Sequence, residues 1–144
     1  MVEPLWSPSS KAIENSLLTQ FTKAVADKRA LALKNYGDLH AWSIQNPDEF
    51  WSDYWDFSQI QASKTSPITV EDLDKFPGAT WFPDSKLNYA ENLLCHRSAK
   101  TALVSILENG SRKTATYEEL YQQTASIHFK LRQLIAPGDR VAGW

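Results

Sequence analysis

Aromatic side chains crowd the stretch from Tyr36 to Phe57, and this crowding constrains the fold more than any other feature. Tyr36, Trp42, Phe50, Trp51, Tyr54, Trp55 and Phe57 all fall within it. Each ring carries roughly 150–250 Å² of surface, so a soluble chain has to pack most of them. Asn46-Pro47-Asp48-Glu49 reads as a helix start inside this stretch. Asn46 suits the N-cap, Pro47 the first helical position, and Glu49 sits where it can reach back to the cap amide. Phe50, Tyr54 and Phe57 then line one face with Trp51 and Trp55 beside them, and the expected helix is buried on most sides.

The aromatic weight is uneven along the chain. Five of the six Trp lie in the first 81 residues, and near Lys100 the composition turns to Thr, Val, Leu and Ile. The expected organisation is therefore a helical and loop-rich segment over 1–100, followed by an α/β segment over 101–144. Upstream, residues 9–33 predict one helix, capped by Ser9 or Ser10, with Ile13, Leu17, Phe21 and Ala24 on one stripe. Asn35-Tyr36-Gly37 ends it, and Asp38 is the expected cap of a short second helix holding Leu39 and Trp42. Residues 58–85 read as loop, punctuated by Pro67, Pro77 and Pro83, with Thr69–Lys75 a helical turn or a short strand. Helical spacing resumes at Leu87, with Ala90 and Leu94 inward, and ends near Arg97.

The last third is the most legible. Ala102–Leu107 is an apolar run of strand length, and Asn109-Gly110 is a strong hairpin signal that returns the chain through Arg112–Ala115. Thr116 with Glu119 forms a capping box that opens a helix to about Leu134. Ala136-Pro137-Gly138-Asp139 breaks it, and Arg140–Trp144 reads as the next strand. Strand, hairpin, strand, helix, strand is the opening of an α/β unit, so the expected class is α/β, α+β in this portion, with the domain incomplete. An open strand edge near Trp144 is expected to promote self-association.

Composition narrows the function. The net charge is −2, and the 15 bases are scattered, which disfavours nucleic-acid binding. Cys95 is the sole cysteine, so no disulfide framework exists and a reducing cytoplasm is the expected home. No apolar run reaches the length of a membrane span, and the first residues lack a secretory pattern. Asn109-Gly110-Ser111 matches a glycosylation sequon but reads as a turn.

Searches for chemistry assign no residue. Gly37, Gly78, Gly110, Gly138 and Gly143 form neither a dinucleotide fingerprint nor a phosphate loop. His40, His96 and His128 are far apart, and adjacent Cys95 and His96 point to different helix faces, so Cys95 reads as a packed residue. Glu49, Asp53 and Asp56 share a face by spacing and read as a solvated acidic face rather than an acid–base pair. Glu108, Glu118 and Glu119 have turn and cap roles, and Arg140 beside Asp139 reads as a charge pair leading into a strand. No catalytic, cofactor-binding or metal-binding residue is therefore expected within 1–144.

A resemblance adds what spacing does not. LWSPS at 5–9, YGDLHAWS at 36–43, PDEFWSDYWDF at 47–57, PGATWFPDSKLNYAENLL at 77–94, TYEELYQQTA at 116–125 and APGDRVAGW at 136–144 resemble, in order and spacing, the N-terminal region of acetoacetyl-CoA synthetases. These are adenylate-forming acyl-CoA synthetases similar to acetyl-CoA synthetase. The resemblance implies a two-step ligase reaction in the full enzyme. A carboxylate such as acetoacetate attacks the α-phosphate of ATP to give an acyl-adenylate and pyrophosphate, and coenzyme A then displaces AMP. ATP, Mg²⁺ and coenzyme A are the implied cofactors, and their motifs fall outside 1–144. Residues 101–144 then begin the AMP-binding domain, and the portion in hand is structural and inactive alone. The resemblance further implies that Trp81 and Phe82 are buried anchors, with Pro77 and Pro83 fixing the loop on either side. The alternative is a stand-alone, non-catalytic interaction module derived from such an enzyme; an independent small enzyme lacks any supporting constellation.

Overall fold

Asn15 and Ser16 interrupt the single N-terminal helix that the apolar stripe predicts. In a computed structural model that describes residues 5–142, α1 spans Ser10–Glu14 and α2 spans Leu17–Arg29. The cause is local: the Ser16 hydroxyl accepts the Thr19 N–H at 3.1 Å and gives the second helix its own N-cap. Ser9, one of the two expected caps, serves α1 by accepting the Ala12 N–H. Ala30, in the left-handed conformation at φ 55°, ends α2 short of residue 33. The break also moves the buried stripe. Phe21 and Val25 are buried, whereas Ile13, Leu17 and Ala24 are exposed.

α3, Tyr36–Gln45, is capped by Asn35 rather than Asp38. Asn35 Oδ1 accepts the Asp38 N–H at 3.1 Å, and Asp38 in turn accepts the Lys34 N–H at 2.8 Å. α4, Pro47–Phe57, follows with Pro47 in its first turn as expected. Asn46 makes no side-chain cap to α4. Its backbone N–H and Nδ2 both donate to the Trp42 carbonyl, at 2.9 and 3.1 Å, so one residue closes α3 and opens α4.

Helices α2, α3 and α4 enclose a core of Phe21, Val25, Leu39 and Trp42, with Leu31, Leu33, Phe50 and Phe57 packed against it. The Phe21 ring is its hub, with ring centroids of Phe50, Tyr54 and Phe57 at 5.7, 5.7 and 5.1 Å. The pairs with Phe50 and Tyr54 are edge-on, and each such pair adds about 0.5–1.5 kcal/mol beyond its area burial. In the following loop, β1 (Val70–Glu71) pairs antiparallel with β2 (Thr80–Trp81), Val70 opposite Trp81. Thr69–Lys75 therefore resolves as a two-residue strand followed by a turn, closed by Lys75 N–H donating to the Asp72 carbonyl.

The chain divides into two compact units between Leu87 and Asn88. The second opens with α5, Tyr89–Leu93, capped by Asn88 and shorter than the helix expected over 87–97. β3 (Thr101–Ile106) and β4 (Arg112–Thr116) form an antiparallel hairpin, with Ile106 opposite Arg112 and an irregularity between Thr101 and Leu103. Gly110, at φ 78°, supplies the left-handed residue that the hairpin loop needs. α6 spans Tyr117–Leu131 behind the complete Thr116–Glu119 capping box and packs on both strands. Its Tyr121 ring lies under the Arg97 guanidinium, 3.5 Å from the centroid. Arg140–Ala142 form no strand, since no described residue offers them a ladder. Gly143 and Trp144, the end of that expected strand, lie outside the described residues.

Candidate functional site

α4 presents two chemically distinct faces. Glu49, Asp53 and Asp56 lie on one, at spacings of four and three, and the last turn of α2 supplies Lys28 and Arg29 opposite them. Cations suit that position because the C-terminal end of a helix carries partial negative charge. Arg29 Nε and Nη2 donate to the two oxygens of Asp53, the second at 3.1 Å, and Arg29 Nη1 lies 2.8 Å from Glu49 Oε2. Lys28 Nζ bridges Asp53 Oδ1 at 2.7 Å and Asp56 Oδ2 at 3.1 Å. The Arg29 guanidinium also sits 5.7 Å from the Trp42 ring centroid.

Asp53 is only 4% exposed, so the expectation of a solvated acidic face is corrected at its centre. Desolvation alone pushes the Asp53 carboxyl up. Hydrogen bonds from Arg29 and Lys28, with their charges, outweigh it and hold the group below its ordinary value. The bond to Asp53 correspondingly raises both Lys28 and Arg29. A carboxylate whose two oxygens are both engaged by cations is poorly placed to shuttle protons. Its chemistry is that of a brace tying α2 to α4.

The other face is aromatic. Trp51 packs on Trp81, centroids 6.0 Å apart, and Trp55 packs on Phe82 at 4.5 Å. Phe82 is held at a positive φ of 44°, and its N–H donates to the Thr69 carbonyl at 2.7 Å. The 77–85 loop thus docks on α4, but its rings are not both buried. Phe82 is half-buried and Trp81 is 40% exposed, which corrects the expectation of two buried anchors. The helix itself is less enclosed than its aromatic content suggests. Within α4 only Asp53 is buried, and Trp51 and Tyr54 are exposed, because the core lies to one side of it.

The remaining candidates stay apart from any such arrangement. Cys95 and His96 follow the end of α5 in irregular chain and are exposed, so Cys95 is not a packed residue. His40 stacks on Tyr36 at 5.9 Å, and His128 lies in the last turn of α6. Glu119 belongs to the capping box, Glu118 accepts from Gln122 at 2.9 Å, and Asp139 accepts the Ala136 N–H at 2.8 Å. Glu108 and Arg140 sit in loops. Among the described residues, no group of three or more His, Cys, Asp and Glu is placed to hold a metal ion.

These segments have counterparts in known proteins. Residues 36–93 match the family described as acetyl-coenzyme A synthetase N-terminus. The match takes in α3, α4, the docked loop and α5. Over 97% of its length the chain is also 35% identical to the acetoacetyl-CoA synthetase of Macaca fascicularis and 40% identical to that of Xenopus tropicalis. A malonamoyl-CoA synthetase of Penicillium aethiopicum is 33% identical over 99% of the chain. Among solved structures, acetoacetyl-CoA synthetase from Streptomyces lividans superposes with a TM-score of 0.85 and 34% identity, covering 99% of this chain and 23% of that one. Over nearly its whole length the chain is similar to the N-terminal region of acetoacetyl-CoA synthetases. It spans about a fifth of the length of the curated relatives it matches.

Proposed function

We propose that this chain is the N-terminal portion of an AMP-forming acid–CoA ligase that converts acetoacetate, ATP and coenzyme A to acetoacetyl-CoA, AMP and pyrophosphate. The observation that carries the reading is the superposition on the Streptomyces lividans enzyme over 99% of this chain at a TM-score of 0.85. The role of the portion is structural. α4, braced by Arg29–Asp53 and overlaid by the Trp81–Phe82 loop, forms a rigid aromatic element, and residues 101–144 begin the AMP-binding domain.

ATP, Mg²⁺ and coenzyme A belong to the reaction of the whole ligase. The described residues do not fit them: they gather no metal-holding cluster, and Gly78, Gly110 and Gly138 each serve a single turn rather than a phosphate cradle. No step of the reaction is routed through them. The acyl specificity is likewise a property of the remainder, since relatives named for acetoacetyl and malonamoyl thioesters match this portion at comparable identity. A lone, exposed Cys95 suits the reducing cytoplasm. No helix among the described residues is long and apolar enough to cross a membrane.

The test is a chimera in which this chain replaces the matching N-terminal segment of the Streptomyces lividans enzyme. AMP formation dependent on acetoacetate and coenzyme A is expected from the chimera and not from the 144-residue chain alone. Turnover by the chain alone, or an inactive but folded chimera, would overturn the reading.

A further inference from the structure

We propose that Asn109 is a site of spontaneous covalent modification: the Gly110 backbone nitrogen attacks the Asn109 side-chain amide, and water then leaves aspartate or isoaspartate in the hairpin loop. The site is independent of the ligase reading, because it needs only the loop between β3 and β4 and water. Asn109, Gly110 and Ser111 are exposed, so water reaches all of them. Gly110 has no side chain, and the space that a Cβ would occupy is empty to 4 Å, so its nitrogen is unshielded there. Asn109 Oδ1 accepts the Ser111 N–H at 3.0 Å. That bond draws charge from the amide carbon and is placed to hold the negative charge the oxygen gains on attack. The Gly110 N–H donates to the Leu107 carbonyl at 2.9 Å, a bond on an exposed turn that opens in local fluctuations.

Water is the only other reactant, and nothing is oxidised or reduced. The Gly110 nitrogen loses its proton and bonds to Asn109 Cγ, the Cγ–Nδ2 bond breaks, and Nδ2 leaves as ammonia with that proton. Water then cleaves one of the imide bonds to the Gly110 nitrogen. Cleavage at Cγ leaves aspartate. Cleavage at the main-chain carbonyl of residue 109 leaves isoaspartate, whose backbone runs through the side chain and is longer by a methylene. The other Asn residues lack this combination. Asn46 precedes Pro47, which has no N–H to lose. Asn35 and Asn88 precede tyrosines and cap α3 and α5, Asn92 lies inside α5, and Asn15 precedes Ser16, whose side chain crowds the nitrogen. The products at 109 differ in what they do to the hairpin. An aspartate keeps a side-chain oxygen for the Ser111 N–H. An isoaspartate lengthens the chain between Leu107 and Ser111, whose N–H···O=C bond of 3.0 Å closes the loop, and so works against the register of β3 on β4.

The test incubates the 144-residue chain without denaturant and maps its peptides by mass spectrometry, with electron-transfer fragmentation to tell aspartate from isoaspartate. Conversion of Asn109 to both products is expected to run on the order of tenfold faster than conversion of Asn15, Asn35, Asn88 or Asn92. An Asn109 that stays intact in the folded chain while the urea-unfolded chain converts it would overturn the proposal. Conversion no faster than at Asn15 would do the same. Amide exchange at Leu107 reads the consequence. It is expected to be on the order of tenfold faster in the isoaspartate form. In an Asn109→Asp variant, which carries the new charge without the longer backbone, it is expected to be unchanged. Equal exchange in the two forms would sink the claim that added backbone length loosens the loop. If the chain alone does not fold, the chimera takes its place and the same peptide and amide decide.

Discussion

The helical unit ending at Leu87 and the hairpin unit starting at Asn88 differ in what they bury. The first closes Phe21, Val25, Leu39 and Trp42 into a core and adds the buried, ion-paired Asp53. In the second, Leu94 is the one buried hydrophobic residue among those described, while Leu103, Val104, Ile106, Ile127, Phe129 and Leu134 stay exposed. Local signals are nevertheless stronger in the second unit, with its capping box and Asn-Gly turn. Secondary structure can thus be specified by caps and turns while stability is left to packing that those residues do not supply.

The largest expected effect falls on the helical unit. Phe21→Ala removes the hub of the ring cluster and should cost about 3–5 kcal/mol in denaturant unfolding followed by Trp fluorescence. That probe is weighted toward this unit, because five of the six Trp, all but Trp144, precede Leu87. Exchange in β3 and β4 should be unchanged, and a simultaneous loss in both units would break the comparison. Asp53→Ala comes next, at about 3 kcal/mol, the low end for breaking a buried pair, since Lys28 keeps access to water. Acid and base sharpen the same point. The Asp53 carboxyl is held below its ordinary value of 3.8, so its contribution is present above that pH and is lost as pH falls through the lower, folded value. Lys28 is raised above 10.5, so its contribution is present below that pH and is lost as pH rises through the higher, folded value. Stability measured against pH should fall at both ends, and Asp53→Ala should flatten the acid limb.

Smaller effects belong to the hairpin unit. Gly110→Ala forces a side chain into a left-handed position and should cost about 1–2 kcal/mol, read as faster exchange in β3 and β4. Thr116→Ala removes the cap of α6 and should cost about 1 kcal/mol, read as lost helicity at Glu118–Leu120. Neither should shift the Trp-detected transition of the helical unit.

What the sequence revealed follows the range of the interaction. The Pro47 helix start, the Asn109-Gly110 turn and the Thr116–Glu119 box act within a few residues and are legible at once. The Ser16 cap is equally local, yet it sits inside an apolar stripe regular enough to mask it. Arg29 and Asp53 are 24 residues apart, and only the fold makes them neighbours. The signal that hints at the brace is Lys28-Arg29 at a helix end, matched to acids at 49, 53 and 56. Burial of Trp81 and Phe82 was expected from resemblance, and the actual exposure of Trp81 depends on which rings of α4 face it. Catalytic groups were not legible because the readable motifs assign none within this portion.

Asn46 shows how little slack the helical unit has. One residue serves as the end of α3 and the threshold of α4, so the phase of the second helix is geared to the first. An α-helix advances roughly 100° per residue, so a single insertion or deletion there would rotate Asp53 away from Lys28 and Arg29 and carry the Phe50–Tyr54–Phe57 row off Phe21. A change in the length of this joint is therefore transmitted to the ion pairs of Asp53 and to the ring contacts of Phe21.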